Sequence, residues 1–154
     1  MTSEVRHLFN ALGEEGAISP FNLKACSPGD VCVIEAHFRC RLPQAYKAFL
    51  EIAGRGAGKL FQGTDIYYPR LLSLQAEAID LMAQNNLPKM LPDAAIVFCM
   101  HQGYEVNYFL PTSENPPVYQ YVEGQPSPVQ AWNSFSGFLA EALERHKAIW
   151  LDLN

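Results

Sequence analysis

The hydrophobic pattern of this chain changes period once, and that change limits the folds open to it. Up to about residue 86 the apolar side chains recur three and four apart; from Ala94 to Val122 they come as a short run and then in alternation. A spacing near 3.6 buries one stripe of a helix, and a spacing of two buries one face of a strand. Helices followed by strands that neighbour one another in sequence predict an α+β chain, and strands joined by short turns should pair antiparallel.

Val5, Leu8, Phe9 and Leu12 place a short helix over residues 2–12. Ser27-Pro28-Gly29-Asp30 is a helix start: Ser27 can accept from free backbone amides, Pro28 suits the first turn, and Asp30 favours the positive helix end. Val31, Ile34 and Phe38 follow on one face. Leu42-Pro43 breaks that helix and opens another, whose stripe is Tyr46, Phe49, Leu50 and Ala53 and which Gly54 to Gly58 ends. A third helix from near Pro69 carries Leu71, Leu74, Ala78, Leu81 and Met82, with Asn85-Asn86 and Pro88 at its end. Ala94 to His101 is then a strand, Gln102-Gly103 a hairpin turn, and Tyr104 to Leu110 an alternating strand. In it Glu105 and Asn107 should face away from Tyr104, Val106 and Tyr108. Val118 to Val122 reads as a third strand, and Leu60-Phe61 as a short addition to the sheet. After a Pro-rich loop, a last helix from about Ser134 turns Phe135, Phe138, Leu139, Ala142, Leu143, His146 and Ile149 to the core. No repeat and no linker interrupts residues 1–154, so one domain is expected.

Hydrophobic residues make up 49% of the sequence and charged residues 18%, which supplies a core and excludes the polar, highly charged composition of disordered chains. The longest charge-free run, Gly124 to Ala140, contains Gln, Ser, Pro and Asn and is unsuited to the ~20 apolar residues of a membrane span. The start, Met-Thr-Ser-Glu, lacks the basic-then-apolar opening of a signal peptide, so a cytoplasmic protein is expected. Cys26, Cys32, Cys40 and Cys99 form no Cys-x-x-Cys pair, and free, mostly buried thiols are expected rather than a zinc site.

Charge is unevenly placed. Residues 1–89 carry nine acids and nine bases, whereas no Lys or Arg lies between Lys89 and Arg145, a window holding Asp93, Glu105, Glu114, Glu123, Glu141 and Glu144. Nucleic-acid binders need a basic footprint; an acidic half suits a basic protein partner.

Searches for chemistry fail on detail. Gly54-Arg-Gly-Ala-Gly-Lys59 invites a phosphate-loop reading, but Ala53 stands at the first Gly position, Leu60 follows the Lys, and the segment follows a helix rather than a strand. Cys99 and His101 share a strand face without a third group to orient the His, and a buried Cys99 with a turn-side His101 accounts for them. There is no Gly-x-Ser-x-Gly elbow, no close carboxylate pair for acid–base work, and no His or Asp at metal-ligand spacing from His7, His37 or His146. No catalytic residue, metal or cofactor is expected. What remains is a set of tyrosines among acids, Tyr104, Tyr108, Tyr119 and Tyr121 beside Glu105, Glu114 and Glu123. Aromatic residues fit a pleated, half-buried face, so core packing explains most of these tyrosines; tyrosine is also enriched at protein interfaces, and on that second reading the candidate partner-binding residues are Glu105, Asn107, Tyr119, Tyr121 and Glu123.

Several segments carry a resemblance in order and spacing. They are Leu42-Pro43-x-x-Tyr46-Lys47-x-Phe49-Leu50 with the acidic Glu35 upstream; Ile96-Val97-Phe98; His101-Gln102-Gly103-Tyr104; Tyr108-Phe109; Pro116-Pro117-Val118-Tyr119; Glu123-Gly124; and Trp132-Asn133-Ser134-Phe135-Ser136-x-Phe138-Leu139. Together, over about residues 27–143, they resemble the SUKH superfamily. The chain departs from it at Ala53-Gly54, where many members have Asn-Gly-Gly. The resemblance implies an α+β fold without enzymatic activity. Bacterial members are mostly immunity proteins that bind and block toxin domains, often nucleases; fungal relatives regulate cell-wall assembly. The expectation is therefore a bacterial immunity protein whose partner is a basic toxin domain, with no direct contact to nucleic acid or membrane. The alternative is a regulatory or scaffold interaction protein of the same fold.

Overall fold

A computed structural model describes residues 2–87 and 91–151. Helix α1 (Thr2–Glu14) leads through a short 3-10 turn to β1 (Leu23–Lys24), α2 (Pro28–Phe38) and α3 (Gln44–Ala53). Strands β2 (Gly56–Ala57) and β3 (Thr64–Asp65) follow, then α4 (Leu74–Gln84), entered through a 3-10 turn at Arg70–Ser73. The meander is β4 (Ile96–His101), β5 (Glu105–Phe109), β6 (Val118–Val122) and β7 (Val129–Trp132), and α5 (Phe135–Leu151) closes the chain. β1 and β2 form a small antiparallel pair; β3 to β7 form one antiparallel sheet in sequence order. The α+β architecture read from the period change is the one present.

The expected capping of α2 is there: Ser27 Oγ accepts from the Asp30 amide at 3.1 Å, and Asp30 Oδ2 accepts from the Ser27 amide at 3.0 Å. Glu35 has a structural role, its Oε2 accepting the Leu42 amide at 2.9 Å and closing the turn between α2 and α3. Gly54 must be glycine, because a Cβ there would lie 2.4 Å from Cys26 Sγ and 2.6 Å from Leu50 O. Ser134 Oγ accepts from the Gly137 amide at 3.0 Å to start α5. Asn115 ties that start to the β5–β6 loop, accepting from the Ser136 amide and donating to Ser136 Oγ.

Helices α3 and α5 pack on one face of the sheet through an aromatic cluster. Tyr46 and Phe49 of α3 and Phe135 and Phe138 of α5 meet Phe98 and Phe109, with ring centroids 5.1–6.4 Å apart. The opposite face, carrying Val97, Met100, Val106 and Tyr121, is buried too. A β-bulge at Phe98 lets β4 keep both alternations in step. Gln75 of α4 stands in for a strand neighbour along β4: its Nε2 donates to Ala95 O and its Oε1 accepts the Val97 amide, both at 2.9 Å.

Four expectations need correction. The short added strand is Thr64–Asp65, and Leu60-Phe61 lies in the turn before it, where Phe61 adopts φ 59. β7 occupies part of what reads as a Pro-rich loop: Pro126 and Pro128 hide an edge strand of only four residues. Tyr104 belongs to the hairpin turn and not to β5, because Gln102 and Gly103 both take φ > 0 and β5 begins after them. Ile149 is 57% exposed, since the last turns of α5 follow the rim of a cleft rather than the core. The other helix stripes are buried as read except that Leu8, Phe38 and Ala142 are half-buried, and of the end of the α4 segment Pro88 lies outside the described residues. All four cysteines are free; Cys26 and Cys99 are buried, Cys40 half-buried and Cys32 exposed.

Candidate functional site

The aromatic cluster fills only half of the helix-facing side of the sheet. Beyond it, at the His101–Glu105 end, the strands turn polar while α5 continues past them, and a cleft of about 790 Å³ opens between the two. Its floor is Thr64, Cys99, His101, Glu105, Asn107 and Gln120. One wall is α5 from Phe138 to Trp150; the other is the segment from Lys59 to Thr64, with Trp132 at the β7 side.

The floor residues are there by register. Glu105, Asn107 and Gln120 point into the cleft because Asn107 pairs with Gln120 and Cys99, and His101 with Glu105 and Thr64. Asn107 is only 1% exposed and is held on both sides. Its Nδ2 donates to Glu105 Oε2 at 3.1 Å and to Cys99 Sγ at 3.7 Å, and its Oδ1 accepts from Gln120 Nε2 at 3.1 Å. Across the cleft Glu141 accepts from Trp132 Nε1 and pairs with Arg145, which together hold its carboxyl below the usual range. Lys59 Nζ lies 4.1 Å above the Trp150 ring. His146 is buried and in hydrogen-bond contact with Ala17 O at 3.1 Å, and burial pushes its imidazole below the ordinary value.

Cys99 and His101 do share this face, but they make no nucleophile–base pair. Burial pushes the Cys99 thiol far above its usual range, and His101 Nδ1 is hydrogen-bonded to Thr64 Oγ1 at 2.8 Å.

The five candidate contact residues fall in three places. Glu105 and Asn107 are in the cleft. Tyr119 is on the opposite face, half-buried and stacked on Tyr108 at 5.4 Å. Tyr121 is on that opposite face too and is wholly buried beside Val106, so no partner reaches it. Glu123 is exposed in the turn after β6, where its amide donates to Tyr104 O at 2.9 Å and brings it to the Glu105 end of the sheet. Alternation puts Tyr119 and Tyr121 on one face correctly; it does not say that this face is covered. The same alternation puts Gln120 on the other side, and only the β5–β6 register shows that it meets Asn107. Trp132 and Glu141 were missed because their meeting depends on the unrecognised β7.

No helix among the described residues is long and apolar enough to cross a membrane. No curated protein matches the chain. A family model described as SMI1 / KNR4 family (SUKH-1) matches residues 25–141, a span that runs from the cap of α2 to Glu141 in the cleft wall and includes every floor residue. The match covers well over half of the sequence, and the chain belongs to the SMI1 / KNR4 family, SUKH-1.

Proposed function

We propose that this chain is an immunity-type binding protein of the bacterial cytoplasm, which occupies a basic surface of a toxin domain one to one and blocks it without catalysing a reaction. The observation that carries this reading is that Glu105, at the start of β5, and Glu123, in the turn after β6, lie at the same end of the sheet, the end where the cleft opens. Two carboxylates there, with the exposed Tyr104 in the hairpin turn directly before Glu105, offer charge and aromatic surface to a basic partner. Of the residues singled out from sequence, Glu105 and Glu123 are the contacts, Asn107 positions Glu105, and Tyr119 lies outside this surface.

The test is co-purification with the product of the neighbouring gene, followed by association kinetics of that complex. Glu105→Lys with Glu123→Lys should slow association about tenfold or more at low salt, and the difference from wild type should shrink as salt rises. Equal rates for both proteins at low and high salt would move the interface elsewhere. Failure of any neighbouring toxin domain to bind would remove the immunity reading and favour an interaction protein with another partner.

A further inference from the structure

Glu105 is the cleft carboxylate with no ion-pair partner among the described residues. Its Oε2 receives one hydrogen bond, from Asn107, and although His101 is its cross-strand neighbour no described Lys, Arg or His forms an ion pair with it, whereas Glu141 has Arg145 and Lys59 lies on Trp150. The amides beside it run in one direction, Gln120 donating to Asn107 and Asn107 to Glu105. That relay leaves two acceptors open: neither Glu105 Oε1 nor Gln120 Oε1 receives a hydrogen bond from a described residue. Asn107, almost fully buried and bonded on both sides, fixes the array in place. A site that leaves a carboxylate oxygen and an amide oxygen without hydrogen bonds suits a donor-rich cation.

We propose that the cleft takes an arginine side chain of the partner protein, its guanidinium paired with Glu105 and bonded to Gln120. This rests on the reading above that the partner is a basic protein, and it names what that partner inserts. Arginine fits better than lysine for two reasons. A planar guanidinium carries five donors, enough for both carboxylate oxygens and an amide oxygen at once. It is also weakly hydrated and lies well against aromatic rings, which Tyr104 and Trp132 supply at the cleft border.

The experiment needs no toxin. The full chain, labelled with ¹⁵N, is titrated with Nα-acetyl-arginine methylamide and, separately, with the citrulline and lysine analogues. The arginine probe should give saturable shifts of the Asn107 and Gln120 side-chain amide signals and of the Glu105 backbone amide, at lower concentration than either analogue. Glu105→Gln, which keeps the shape and removes the charge, should weaken it about tenfold, the loss expected of one charge-assisted pair. Glu123→Gln, outside the cleft, should bind as wild type does. Equal shifts with citrulline, equal affinity for lysine, unchanged binding in Glu105→Gln, or no saturable shift at these amides would each overturn the assignment. A cleft that selects arginine in a protein that captures no toxin would refute the immunity reading alone; toxin capture without arginine selection would refute this one alone.

Discussion

Tyr46 sits at the centre of the aromatic cluster, edge-on to Phe109 at 5.2 Å and to Phe135 at 5.4 Å, and its hydroxyl is buried with no hydrogen-bond partner among the described residues. An unsatisfied buried hydroxyl costs about 1–3 kcal/mol, so the ring and not the oxygen holds the core. Tyr46→Phe should leave the melting temperature unchanged or raise it, by up to about 1 kcal/mol of stability in urea unfolding; a clear loss would mean the hydroxyl is satisfied in solution. Phe138 is the opposite case. It stacks on Phe61 at 6.1 Å and meets Trp132 edge-on at 5.0 Å, so it joins the core to the cleft wall. Phe138→Ala should cost about 3–5 kcal/mol in the same measurement, and an unchanged unfolding midpoint would show that the cavity is refilled.

The entry to α2 shows how far sequence reaches at the scale of an element. Ser27, Pro28 and Asp30 announce a helix start because a cap uses residues three apart. The Asp30 carboxylate has a second duty that spacing does not reveal: it takes a two-pronged pair from Arg55, at 2.7 and 2.9 Å, with the guanidinium 4.8 Å over Tyr68. Arg55 lies in the segment that imitates a phosphate loop, and its charge is spent on this clasp. The Arg55 hydrogen bonds, with those of the Ser27 cap, lower the Asp30 pKa to about 2. A carboxyl depressed in the folded state lends stability above its unfolded pKa, near 3.9, and loses it as pH falls toward 2. The melting temperatures of wild type and Asp30→Asn should therefore differ most above about pH 4 and converge toward pH 2. A constant gap across that range would deny the carboxylate its part. Helices with long stripes, such as α3 and α5, were legible because local periodicity determines which face they bury. β7 was not, since four residues after two prolines give too little alternation; nor was the cleft, which exists only once the β5–β6 register and the overrun of α5 are known.

For the molecule as a whole, the uneven charge becomes a location rather than a tendency. The acids of the base-free window are spread over several elements, and only Glu105 and Glu123 gather at one end of the sheet, while Glu141 is neutralised by Arg145. The remaining scaffold is closed in an unusual place: the Gln75 side chain of α4 completes the hydrogen bonding of β4. In the language of amide exchange, the Val97 N–H is a proton of the sheet whose guard is a helix. Its protection can last no longer than α4 stays docked, however stable the strands themselves are. Hydrogen–deuterium exchange should therefore show Val97 opening together with the α4 amides. Gln75→Ala should accelerate Val97 selectively, leaving amides paired between β5 and β6 slow; if Val97 still exchanges with those inner amides, the sheet keeps its own edge. One side chain thus links two layers of the fold into a single opening unit, and the exchange rate of one buried amide would report the docking of a helix to which it does not belong.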